Sequence, residues 1–212
     1  MPQAWNSDPP GSLPLIVANI ASLVGQFKAE AVNRSLPTIA MAQNWHRTIY
    51  KGVSIPVPYY AGEVRDTDQR FPDLIGYEVI VGVNGGVPSV DVPSTLLWFE
   101  GRLQAVCGVL DAAIPAGGRP SSEDELRTVV EVTALAHGHW VRIHPFANGN
   151  GRTARLWANW VAVRYGLPPF VQVKPRPAGQ AYARAAEASM RDDHRLCAIV
   201  FHQMLDSQLG LP

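Results

Sequence analysis

Residues 144–155 read His-Pro-Phe-Ala-Asn-Gly-Asn-Gly-Arg-Thr-Ala-Arg, and their types and order suit the handling of a phosphorylated substrate. An imidazole with an ordinary pKa of about 6.5 is available in its neutral form near pH 7, so His144 could take a proton from an attacking hydroxyl. Gly149, Asn150 and Gly151 let the backbone turn tightly and bring N–H groups close to a ligand. Residues 153–165 continue with apolar side chains at helical spacing. The turn therefore delivers an anion to a helix N-terminus, where unpaired N–H groups and the helix dipole favour phosphate. Arg152 and Arg155, three apart, are expected to project from one face toward that ligand, and Phe146 to pack inward under the turn. Glycine turns, solvated arginines and structural histidines are each common. A structural turn, however, needs neither glycines flanking Asn150, nor arginines at helical spacing, nor a histidine before it.

Around this segment the chain reads as mostly helical. Residues 1–11, rich in Pro, Gly and polar residues, read as a flexible arm, and residues 12–209 as a single folded domain. Apolar spacing predicts helices over 13–32, 37–51, 93–113, 122–142, 152–165, 177–190 and 193–209, with Ser122-Glu123-Asp124-Glu125 as a capping box and Gly166 as a helix stop. Residues 77–83 are β-prone and precede Asn84-Gly85-Gly86, which predicts a short hairpin turning at those glycines. Four prolines between 168 and 177 demand an extended connector. The reading is an all-α compact bundle with one small hairpin.

A chain of 212 residues is long enough for one core. Its formal net charge of zero offers no global basic field for nucleic acid or an acidic membrane, so neither is expected as a partner. Cys107 and Cys197 fall in apolar helical patterns without metal-ligand spacing and read as buried free thiols, which suits a cytoplasmic location. No Sec-type signal and no membrane span is expected, although a specialised secretion route would leave the same sequence. His137 and His139 lie two apart, so on a helix they point to nearly opposite sides and cannot share a metal. His46, His194 and His202 read as core or surface residues of helices, and Trp157 and Trp160 as core.

The 144–155 segment resembles the motif of the Fic-domain proteins, H-x-F-x-[DE]-G-N-G-R-x-x-R, with one departure: Asn148 stands where the family places Asp or Glu. Tyr60-Ala61-Gly62-Glu63-Val64-Arg65 is similar to the family's A-G-E-x-R segment, and residues 164–169 to its G-L-P-P helix end. The resemblance covers roughly residues 13–205. It implies the Fic fold, a helical bundle with a hairpin flap beside the active site. It also implies a protein adenylyltransferase moving AMP from ATP to a Tyr, Ser or Thr hydroxyl of a target protein. His144 would be the base. Gly149, Asn150, Gly151 and Arg152 would cradle the α- and β-phosphates and Arg155 would reach the γ-phosphate, with Val79, Ile80, Val81 and Gly82 as the flap edge that holds the target. Tyr182 falls near the adenine pocket by the same analogy. Mg2+ (or Mn2+) at Asn148 is expected to be weakly held, because a neutral amide is a poorer ligand than a carboxylate. Other Fic-type transfers (kinase, phosphocholine, another nucleotide) and an inactive peptide-binding module are the alternatives. The family's inhibitory pattern [ST]-x-x-x-E-[GN] is not met: Ser121 and Glu125 are followed by Leu126, and Glu100-Gly101 has Leu96 in the first position. The resemblance then implies either that the chain lacks this brake or that a separate antitoxin-like inhibitor supplies it.

Overall fold

A computed structural model describes residues 3–210. Seven helices run in the order α1 (Leu13–Val32), α2 (Ile39–Ile49), α3 (Val92–Ala113), α4 (Glu123–Ile143), α5 (Asn150–Arg164), α6 (Gln180–Met190) and α7 (Arg195–Leu209). The strands β1 (Ile80–Val81) and β2 (Asn84–Gly85) form an antiparallel hairpin between α2 and α3. Local signals explain several starts. The hydroxyls of Thr38 and Ser122 accept the N–H groups of Met41 and Glu125, capping α2 and α4. The Glu125 carboxylate reaches back one residue further than a standard capping box, accepting from the N–H of Ser121 at 2.6 Å.

The hairpin turns at Gly82-Val83, not at the expected Asn84-Gly85-Gly86. Ile80 pairs with Gly85 and Val81 with Asn84, which leaves a two-residue loop whose first position, Gly82, has φ 63°. Asn84 and Gly85 are consequently strand residues.

Helix α5 is the axis of the molecule, buried along almost its whole length. One side carries Leu156, Trp157 and Trp160 into a core shared with α1, α2 and α3, where Trp45 and Trp157 meet edge to face at 4.7 Å. The other carries Ala158 and Ala162, whose small side chains admit Phe170, Tyr182, Cys197 and Phe201 from the connector, α6 and α7. Most polar residues on α5 are buried too and have partners, although the Thr153 hydroxyl has none among the described residues. Asn159 exchanges two hydrogen bonds with the backbone of Val171, at 2.7 and 3.0 Å, and Arg164 donates to the Asp111 carboxylate and the Ser35 carbonyl. These contacts tie the extended connector and the α1–α2 turn to the central helix. Both cysteines are buried and free. Among the described residues no helix is long and apolar enough to cross a membrane.

The N-terminal segment expected to be loose is docked. Trp5 is buried against Tyr50, with ring centroids 4.7 Å apart, and near His46 and Tyr60. Its indole supplies apolar area that outweighs the entropy of ordering an irregular segment. Trp5→Ala is expected to cost about 3 kcal/mol, seen as a lower urea midpoint, and to open residues 3–11 to proteolysis. An unchanged midpoint would show that the segment contributes nothing to the fold.

Candidate active site

His144 follows α4 directly and has a left-handed backbone, φ 50° and ψ 56°. That conformation is costly for a non-glycine residue and must be held by its surroundings. Here the His144 N–H donates to the Trp140 carbonyl at 3.0 Å, and the His144 carbonyl accepts from Arg65 Nε at 2.9 Å. The ring is fixed as well, since Nδ1 contacts the Val141 carbonyl. A carbonyl only accepts, so Nδ1 carries the proton and Nε2 is the nitrogen left to receive one. Burial, and secondarily the Arg65 charge, hold the imidazole down at about 4 against the opposing pull of the Val141 carbonyl. His144 is thus neutral at pH 7, because desolvation outweighs the Val141 contact.

The turn after it is built from inside. Gly149 has φ 77°, and a Cβ there would lie 2.3 Å from Tyr50 Oη and 2.7 Å from His46 Nε2, so glycine is required twice over. Asn150 spends its side chain on the loop, accepting the Phe146 N–H and donating to the Phe146 carbonyl, both at 2.8 Å. His46 lies stacked on Phe146, 3.8 Å between centroids and 9° between planes. Its Nδ1 accepts the Gly62 N–H at 2.9 Å, so its Nε2 donates to the Asn148 carbonyl at 3.0 Å. Burial, with Arg152 and Arg47 adding to it, lowers the pKa of His46 to about 3, and protonation would also remove Gly62's acceptor. The N–H groups of Asn150 and Gly151 open α5, and among the described residues neither is given to a protein acceptor. They are the donors the turn offers an anion.

The guanidiniums of Arg152 and Arg155 engage different protein partners. Arg155 donates to the Val173 carbonyl and to Tyr182 Oη, at 3.0 and 2.9 Å, and lines a cavity of about 510 Å³ with His144, Gly151, Val81, Gly82 and Tyr182. Arg152 lines neither that cavity nor the next one; its guanidinium meets Tyr50 Oη, the Ser7 carbonyl and the Asp8 carboxylate. Three residues along a helix put Cα atoms on one side, but long side chains diverge to whichever partners packing provides. A second cavity of about 260 Å³ joins Val79, Ile80, Val81, His144, Asn148 and Asn150, so His144 stands where the two meet.

Asn148 fits a metal poorly. Its Oδ1 accepts the Gly149 N–H at 2.7 Å and its Nδ2 donates to the Trp5 carbonyl at 2.6 Å, which fixes the amide orientation and uses its oxygen in the turn. Oxygen-rich ligation of Mg2+ by the chain is not provided there.

Arg65 escaped sequence reasoning as a positioning residue. Fully buried, it donates to the carbonyls of His144, Tyr77, Val87 and Ile143 at 2.7–3.1 Å, joining the hairpin base to the loop that carries His144. Its signal was its place in the 60–65 segment. His46 and Tyr50 carried no such signal, since periodicity only marks them as inward-facing.

A sequence model of the Fic/DOC family matches residues 37–162. This chain belongs to the Fic/DOC family. Curated relatives match over short stretches. A Nematostella vectensis protein named protein adenylyltransferase Fic is 47% identical over 51 residues, 24% of this chain and 12% of that protein. An Aedes aegypti protein of the same name is 39% identical over 82 residues, 38% and 16% of the two chains. The matches thus span under a fifth of these relatives. The fold is shared with the BepC protein of Bartonella tribocorum, solved with bound AMPPNP (TM-score 0.64, 17% identity, 94% of this chain and 88% of that one). It is shared also with Fic-1 of C. elegans (TM-score 0.54, 23% identity, 87% and 49%).

Arg65→Gln is expected to lower stability by about 3 kcal/mol or more in chemical denaturation, because several buried carbonyls lose their donor. A loss under about 1 kcal/mol would show that water or neighbours replace it. Acid should also destabilise the fold. The pKa values of His46, His137 and His144 are lowered to about 3, 3 and 4, each chiefly by burial, so between those values and the unfolded pKa the unfolded chain binds more protons. Their stability contribution is complete above about pH 6.5 and falls as pH drops, by up to about 1.4 kcal/mol per pH unit for each group. Urea midpoints taken between pH 7 and about pH 4.5 check this, and a flat profile would contradict neutral buried imidazoles.

Proposed function

We propose that this chain is a protein adenylyltransferase that moves AMP from ATP onto a Tyr, Ser or Thr hydroxyl of a target protein. One observation carries the reading: the neutral His144, its Nδ1 committed to Val141, stands between a cavity with anion donors and a cavity along the hairpin. The names of the relatives agree with it, as do the AMPPNP and ADP in the solved Bartonella tribocorum and Bartonella quintana proteins.

In this reaction the target hydroxyl oxygen attacks the α-phosphorus and its proton passes to His144 Nε2. The bond from the α-phosphorus to the bridging oxygen breaks, and pyrophosphate leaves. The chain's contribution is alignment and stabilisation of negative charge. The N–H groups of Asn150 and Gly151, the helix dipole of α5 and the Arg155 guanidinium face the phosphates. Gly149 contributes the turn that aims those N–H groups, and Arg152 adds positive charge behind it, partly offset by Asp8. The target lies along β1 as an added strand: Ile80 and Val81 are exposed, and the outer edge of β1 pairs with no other strand among the described residues. No step is assigned to a metal held by Asn148.

The test is to incubate the purified protein with cell lysate and ATP labelled on either the α- or the γ-phosphate, beside His144→Ala. Transfer of α-label that falls about 10²–10⁴-fold in His144→Ala, with nucleotide binding kept, is expected. Transfer of γ-label alone would make the enzyme a kinase. Histidine-independent labelling would remove His144 from the reaction.

A further inference from the structure

Away from the candidate active site, three ligand atoms from two distant parts of the chain converge on one point. His139 Nδ1, from the last turns of α4, lies 3.0 Å from His194 Nε2, at the start of α7. Asp192 Oδ1, in the turn between α6 and α7, lies 3.2 Å from His194 Nε2 and 3.8 Å from His139 Nδ1. We propose that His139, Asp192 and His194 form a binding site for a divalent transition metal, Zn2+ by preference. The proposal does not rest on the transferase reading.

Geometry supports it first. In a tetrahedral site with zinc–ligand bonds of about 2.0–2.1 Å, neighbouring ligand atoms stand about 3.3 Å apart. The observed edges of 3.0, 3.2 and 3.8 Å average close to that, so one ion can sit about 2 Å from all three atoms without moving the backbone. Six-coordinate ions of similar size bring neighbouring ligands to about 3 Å, a poorer match, and two imidazoles with one carboxylate suit zinc better than magnesium or calcium.

Proton bookkeeping points the same way. If His139 Nδ1 carries the proton, it donates to His194 Nε2, and the Asp192 carboxylate then faces a bare nitrogen lone pair. If His194 Nε2 carries it, His139 Nδ1 and Asp192 turn lone pairs toward each other. One proton cannot serve three acceptors, whereas a dication at their centre serves all of them. Neutral imidazoles are the ligating form.

The scaffold presets the arrangement. Gly138 has no side chain where a Cβ would lie 2.3 Å from His194 Nδ1, so the ring seats directly against α4. Trp98 meets the other side of His139 edge to face at 5.0 Å. Asp192 has φ 64°, and its N–H and that of Asp193 donate to the carbonyls of Ser189 and Ala188, which fixes the backbone of the turn that carries the carboxylate. The sequence argument against His137 and His139 sharing a metal stands; His137 turns instead to Tyr182 and Cys197. The missing partner for His139 comes from more than fifty residues away. Asp192 and His194 also border a cleft of about 720 Å³ with Glu131 and His202, through which an ion and the water completing its coordination can enter. Arg102 opposes a cation near His139 and moderates the affinity.

Tag-free protein comprising residues 1–212, stripped with a chelator, is titrated with Zn2+ against a chromophoric chelator and with Co2+ by visible absorption. One equivalent of Zn2+, a tetrahedral Co2+ spectrum and a raised Tm are expected. His194→Gln and His139→Gln should weaken binding by more than the roughly 10–100-fold that an outer-shell loss costs, and Asp192→Asn by at least about tenfold. His202→Gln, in the same cleft, and His144→Ala, in the active site, should bind as the unaltered protein does. Asp192 is exposed, so Asp192→Asn tests the site even where a histidine variant fails to fold. No stoichiometric binding, or binding unaffected by Asp192→Asn, or binding lost equally in His202→Gln or His144→Ala, would overturn the proposal.

Discussion

A buried guanidinium that donates to four carbonyls is the contact on which the candidate site depends. Arg65 holds Tyr77 and Val87, the two feet of the hairpin, against Ile143 and His144, the last residues before the turn. Burial pulls its pKa down to about 10, yet it stays charged at neutral pH, and Glu78 is the nearest carboxylate at 3.8 Å. Carbonyl dipoles therefore supply most of its solvation. Such an arrangement adds little net stability but permits one geometry, since a shift of either the hairpin or His144 leaves a buried polar group unpaired. The left-handed backbone of His144 is sustained by the same constraint.

The site's polar groups largely hold one another, and fewer remain for a ligand than their number suggests. Asn148 and Asn150 close the turn upon itself, His46 fastens it from below, and Arg152 is engaged by Tyr50 and Asp8. What is left facing the cavities is two backbone N–H groups, the guanidiniums of Arg155 and Arg176, the carboxylates of Glu187 and Glu78 at their margins, and one neutral imidazole. Donors fixed in this way need no reorganisation when negative charge develops, which is the arrangement expected of electrostatic stabilisation.

Helix α5 links the turn to the rest of the fold. Tryptophans on one side and alanines on the other allow it to serve two cores at once, while its buried Asn159 and Arg164 fix the connector and the α1–α2 turn. The same logic places Arg155, whose guanidinium leans on the Val173 carbonyl of that connector and on Tyr182 of α6.

The sequence by itself determined the helices, the hairpin, the family and the identity of the motif histidine, because these follow from local patterns: periodicity, caps, glycines and a contiguous twelve-residue motif with one departure at Asn148. Only the tertiary structure decided the tautomer of His144, the divergence of Arg152 from Arg155, the docking of Trp5, the hairpin's turn at Gly82 and the meeting of His139 with His194. Side-chain direction and burial depend on partners distant in the chain. Residues 5, 46, 50 and 148 come together only once α1, α2 and α5 have packed, and no local pattern encodes that encounter. Desolvation, which sets the protonation of every buried histidine here, is likewise a property of the assembled core.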